Sequence, residues 1–145
     1  MVFETLIVGF LLALLWIELT DVSPGGIIVP GYIALYLTRP LAVLVTFAAA
    51  LTALALYRIF SLRLVIFGRR RFVLLILAGA VASEILNLIF RGSGQYSPEI
   101  RVIGWIIPGI IAASLSGQKA LPVLASCLTV SAVTFAVVKI MAALI

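Results

Sequence analysis

The chain has 145 residues, 65% of them hydrophobic and 10% charged, and its mean hydropathy is +1.36. Soluble domains carry about 45–50% apolar and about 25% charged residues, so this composition excludes an ordinary soluble domain and points to an integral membrane protein. The net charge is +5, from ten Lys and Arg against five Asp and Glu; there is no His, and the single Cys127 has no intrachain disulfide partner.

A membrane-crossing helix needs about 20 apolar residues. The first candidate is 2–19; its N-terminus has no basic start and no A-x-A-like cleavage site, so it reads as a retained helix and not a signal peptide. Glu18 and Asp21 stand at its end, where acids commonly mark the water interface, although Glu18, directly after Trp16 and Ile17, is also placed to be partly buried. A shorter apolar segment follows at 25–38, interrupted by Pro30-Gly31; Pro removes a backbone donor and Gly weakens a helix, so a break or kink is expected there. The span 40–58 begins at Pro40, a good first-turn residue.

Arg58, Arg63, Arg69, Arg70 and Arg71 then fall within 57–71, which reads as a cytoplasmic connection because basic residues concentrate on that side. Within it, 61–72 mixes Arg with large apolar residues, as a short interfacial helix or a turn on the inner leaflet would. The span 72–90 carries Glu84, with Asn87 and Arg91 at i+3 and i+7 and the small residues Gly79 and Ser83 beside it. An ionisable group in hydrocarbon is costly, so Glu84 is expected to face the bundle interior or water; a polar path and a structural hydrogen bond are both open. The loop 91–101 holds Gly, Ser and Pro, with Glu99 and Arg101 ahead of a second short segment, 100–116, broken at Pro108-Gly109. The last span, 120–144, places Ala125, Thr129, Ala132 and Ala136 on one face, a small-residue seam suited to helix packing.

The two Pro-Gly segments align at an offset of 78 residues, and seven of twelve positions in 26–37 and 104–115 are identical. Paired interruptions in two similar halves point to a working site in a membrane protein. The expected architecture is an all-α, single-domain helical bundle over 1–145, with repeats at about 2–58 and 72–144 joined by the basic segment 58–71. Four spans follow if the Pro-Gly segments re-enter, and six in two inverted three-helix repeats if both cross; the pattern leans toward inversion. Without His and with five acids, no nucleophile–base–acid set can be assembled, and no GxxxxGK[ST] loop is present.

Taken together, these residues resemble the PgsC/CapC family, the small membrane subunit of bacterial poly-γ-glutamate synthases used in capsule biosynthesis. The resemblance rests on Glu18 and Thr20 ahead of SPGGIIVPGY (23–32), on FGRRRF (67–72), on EIRVIGWIIPGIIA (99–112) and on SAVTFA (131–136), in that order along nearly the whole chain. It implies a multi-pass protein of the bacterial plasma membrane that is a non-catalytic subunit of an amide-bond-forming complex and holds no cofactor itself. Its partners would be a cytosolic Mur-ligase-like amide ligase, which would carry ATP and a divalent metal, an extracytoplasmic accessory subunit, and the anionic polymer it helps to export; nucleic acid is not among them. By matched motif, Pro30, Gly31, Pro108 and Gly109, with Glu18, Glu99 and Arg101, would shape the polymer route; Glu84 joins them on burial alone. Arg69, Arg70 and Arg71 would meet the ligase or the polyanion. The narrow interior of so small a bundle points to a route between copies. A self-contained transporter or channel is the alternative reading, and a membrane-embedded transferase a third, disfavoured by the missing catalytic set.

Overall fold

The computed structural model describes residues 1–65, 67–94 and 101–145, so Glu99 lies outside the described residues. Among the described residues six helices follow one another: α1 (Val2–Thr20), α2 (Val29–Tyr36), α3 (Pro40–Ser61), α4 (Arg69–Gly92), α5 (Ile107–Gly117) and α6 (Ala120–Leu144). Four of them, α1, α3, α4 and α6, are long and apolar enough to cross a membrane. At 1.5 Å per residue, α2 and α5 extend only about 12 and about 16 Å.

Each Pro-Gly pair begins its helix and does not kink one. Pro30 and Pro108 occupy the first turns of α2 and α5, where the missing N–H has no helical partner to lose. The interruption lies ahead of them. α1 ends at Asp21, in the left-handed conformation at φ 57°, and Gly25 and Gly26 follow with φ of 81° and 113°. Those angles are strained for side chains with a Cβ, so the Gly-Gly pair is what lets the chain turn from α1 toward α2.

The helices form two trios. α1, α2 and α6 pack together, as do α3, α4 and α5, and α2 and α5 carry the thinner contacts between trios. Lipid gives helices no hydrophobic reason to associate, so close packing of small residues must hold them. Accordingly the buried faces present Gly9 and Ala13 on α1, Ala49, Ala50 and Ala53 on α3, and Gly79, Ala82 and Ser83 on α4. Large apolar side chains such as Leu11, Leu44, Leu77 and Leu128 point outward. Where α4 meets α5, a Cβ on Gly109 would lie 2.5 Å from the Ile76 Cα, so the backbones touch without side chains between them.

Side-chain hydrogen bonds pin the irregular segments to their neighbours. The buried Thr46 hydroxyl accepts from the Ile103 N–H at 2.9 Å, fixing the approach to α5 on α3. Ser23 N–H donates to Gln118 Oε1 at 2.9 Å, and Gln118 Nε2 donates to the Asp21 carbonyl at 3.3 Å, fixing the approach to α2 on the end of α5. One end of the bundle therefore gathers 21–23, Arg58 at the close of α3, and 115–119. The opposite end gathers Tyr36, Arg39, Arg101 and Trp105, and both termini also lie away from the basic turn, with Met1 near Leu35 and Lys139. Segments 21–39 and 101–119 thus each run from one end to the other, in opposite directions.

Two sequence expectations are corrected. Glu84 is exposed on the outside of α4, because that helix buries the stripe Leu75, Gly79, Ala82 and Ser83, and residue 84 lies about 100° further round. The seam Ala125, Thr129, Ala132 and Ala136 also faces outward, while α6 buries Val123, Ser126, Cys127, Val130, Ser131 and Thr134. Small residues occur on both faces of α6, so spacing alone does not distinguish the packed one. The basic stretch is a turn at 62–65 and 67–68, with Arg69, Arg70 and Arg71 already inside the first turn of α4.

Candidate functional site

Pro30, Gly31, Pro108 and Gly109 are all buried at the starts of the two central helices. Gly31 packs against Leu6 and Gly9 of α1, and Gly109 against Leu75, Ile76 and Gly79 of α4. They set how closely the central helices approach their neighbours, and the cavities at the two ends are lined by other residues. Glu18 is exposed at the basic end of α1, one turn before Asp21.

The three arginines that open α4 differ in what they do. Arg69 and Arg70 are exposed. Arg71 is half-buried: its Nη2 donates to Ser116 Oγ at 2.6 Å, and its guanidinium lies 6.0 Å from the centre of the Tyr57 ring. Cation–π attraction and a charged donor make Arg71 a clip between α3, α4 and the end of α5. Beside it opens a cavity of about 540 Å³, with Arg58 and Lys119 in its wall together with Val22, Ser116, Gln118 and Pro122.

At the opposite end, Tyr36, Arg39, Ala42, Arg101, Val102, Gly104 and Trp105 enclose a cavity of about 370 Å³. Among the described residues, no acid lines it and none pairs with Arg39 or Arg101. Arg101 was singled out from the sequence; Arg39, Lys119 and Gln118 were not. A signal for two of them was present: Arg39 and Lys119 each stand immediately before the helix that follows a Pro-Gly segment.

Among the described residues no three of His, Cys, Asp and Glu gather as metal ligands. Among the described residues no nucleophile is paired with a base. The arrangement offers instead a cationic cavity at each end of an apolar bundle, the one at the basic end also lined by the Gln118 amide, suited to holding anionic groups.

The capsule biosynthesis CapC family model matches residues 8–124. The chain belongs to the CapC family. It is 31% identical over 133 residues to the PGA biosynthesis protein CapC of Bacillus subtilis (strain 168), covering 91% of this chain and 89% of that one. It is likewise 31% identical over 136 residues to the capsule biosynthesis protein CapC of Bacillus anthracis, covering 93% of this chain and 91% of the relative. No solved structure is significantly similar to it. The CapC match includes both Pro-Gly segments, the basic turn and the two end cavities, and stops within α6.

Proposed function

We propose that this CapC-family chain is the multi-pass plasma-membrane subunit of a poly-γ-glutamate synthase, required by a cytosolic Mur-ligase-like amide ligase and assisting export of the polymer. The observation that carries the reading is end-to-end similarity to two relatives named for PGA or capsule biosynthesis. In this scheme the ligase brings ATP and a divalent metal, and an extracytoplasmic subunit receives the product. The exposed Arg69 and Arg70 supply a basic surface for the ligase or the growing polyanion.

The same reading makes the chain a duplication of opposite orientation. Pro30 and Pro108 both start central helices, Gly31 meets α1 as Gly109 meets α4, and the third helix of each half packs in the other half's trio. Exposed Glu84 and the outward seam on α6 favour association with further protein over contact with lipid alone. The central position of α2 and α5 also supports the alternative of a self-contained transporter, which requires flux by the purified protein in liposomes.

The deciding experiment compares membranes from cells expressing the ligase with and without this chain, supplied with ATP and glutamate and matched for ligase abundance. Polymer formed only in the presence of the chain supports the synthase reading. Equal yield in both samples overturns it.

A further inference from the structure

Basic residues ordinarily gather on the cytoplasmic side of a membrane protein. Here the ten Lys and Arg divide between both ends: Arg58, Arg63, Arg69, Arg70, Arg71 and Lys119 at the basic turn, and Arg39, Arg91, Arg101 and Lys139 at the other. Two of the four far-end cations stand in the wall of one cavity. Arg39 precedes α3 and Arg101 leads into α5, so the fold brings together residues 62 positions apart. Like charges in one wall repel, and nothing acidic among the described lining residues offsets them. An anion would.

We infer that the cavity walled by Arg39 and Arg101 is a binding station for carboxylates of a polyglutamate chain at the membrane face opposite the basic turn. This rests on the synthase reading for the identity of the polymer. Guanidinium groups bind carboxylates through two parallel N–H donors, and two of them suit a ligand that repeats its carboxylates along a chain. The volume of about 370 Å³ lies at the lower end of the about 300–1,000 Å³ found for small-molecule sites, enough for a short stretch and not a coiled polymer. Ala42 and Val102 give an apolar floor for the methylenes, while Tyr36 and Trp105 flank it. The cavity at the basic end has the corresponding construction, with Lys119 before α6 in the place that Arg39 holds before α3. A polyanion would therefore meet a cationic cavity at each face. A lipid phosphate presents the same anionic oxygens, so the test separates the two sources.

Trp105 reports on this cavity, and Trp16 is the only other tryptophan. The Trp16→Phe protein in phosphatidylcholine nanodiscs would be titrated with a γ-linked glutamate decamer while Trp105 emission is followed. A γ-linked glutamine decamer serves as the uncharged control. A saturable response to the glutamate decamer alone is expected. Arg39→Ala/Arg101→Ala in the same background should weaken it about tenfold or more, and Arg39→Lys/Arg101→Lys should recover part of the loss. Monodisperse elution of each variant establishes that it is folded. No response in the parent, or an unchanged midpoint in the double alanine variant, overturns the inference. A response to phosphatidylglycerol in the disc but not to the decamer makes the cavity a lipid-headgroup site, which also overturns it. Polymer synthesis is measured in parallel: if it depends on the chain while Trp105 stays silent, the station alone falls. If synthesis is indifferent to the chain, the synthase reading falls, and the polymer falls with it as the ligand.

Discussion

Replacing Gly109 by Ala should destabilise the bundle, although the same change at its motif counterpart Gly31 should cost less. An added Cβ at Gly109 would stand 2.5 Å from the Ile76 Cα and 2.9 Å from the Leu75 carbonyl oxygen. Carbon atoms pack best at about 3.5–4.0 Å, so α5 would have to withdraw from α4 by about 1 Å. Both obstructing groups are helix backbone and cannot rotate aside. Overpacking of this kind costs about 1–3 kcal/mol. At Gly31 the nearest atom would be the Leu6 Cδ2 at 3.3 Å, the tip of a flexible side chain, with the Leu6 Cα at 3.4 Å. That change needs a shift of only a few tenths of an ångström, against a side-chain tip, and should cost less than the change at Gly109. In the α1, α2 and α6 trio the intolerant glycine is instead Gly9, whose Cβ would lie 2.5 Å from the Gly31 Cα. The assay is reversible unfolding in mixed micelles by increasing SDS, followed by tryptophan emission, for the three single alanine variants. Gly109→Ala and Gly9→Ala should unfold at lower SDS than Gly31→Ala, which should stay closer to the parent. Equal midpoints, or Gly31→Ala as the weakest, would refute the claim that backbone contact sets the helix spacing.

Thr46→Val keeps the shape of the side chain but removes the acceptor for the buried Ile103 N–H, and should cost about 1–3 kcal/mol in the same assay; Thr46→Ser should stay near the parent. Gln118→Leu breaks both bonds to the 21–23 turn, for a loss of about 1 kcal/mol and faster amide exchange at Ser23. Arg69→Ala/Arg70→Ala should leave stability within about 0.5 kcal/mol, since both side chains are exposed, yet reduce the ligase recovered with membranes. Full ligase retention would exclude these two arginines from docking. Cys127 is fully buried and should resist maleimide in the folded protein while reacting after SDS denaturation.

Length and hydropathy in the sequence were enough to place the four long spans, because a bilayer imposes a minimum run of apolar residues and basic or proline residues bound those runs. They fall at Val2–Thr20, Pro40–Ser61, Arg69–Gly92 and Ala120–Leu144, close to the ranges read from composition. The ordered motifs likewise carried the family. Which way each helix faces was not legible. In a soluble protein a polar stripe marks the solvent side, but here α6 carries small residues on both its outward and its packed face, and Glu84 stands on the outer face of α4. Nor could spacing show that Pro30 and Pro108 begin helices, since the same dipeptide serves as a kink or as a first turn, depending on the backbone before it. Chemistry along the chain determined the membrane class, the spans and the paired interruptions. Only tertiary packing decided that Arg39 joins Arg101, that Gln118 holds the 21–23 turn and that α3 and α6 exchange trios, because contacts between distant segments depend on helix direction and rotation, which an almost uniformly apolar sequence leaves unmarked.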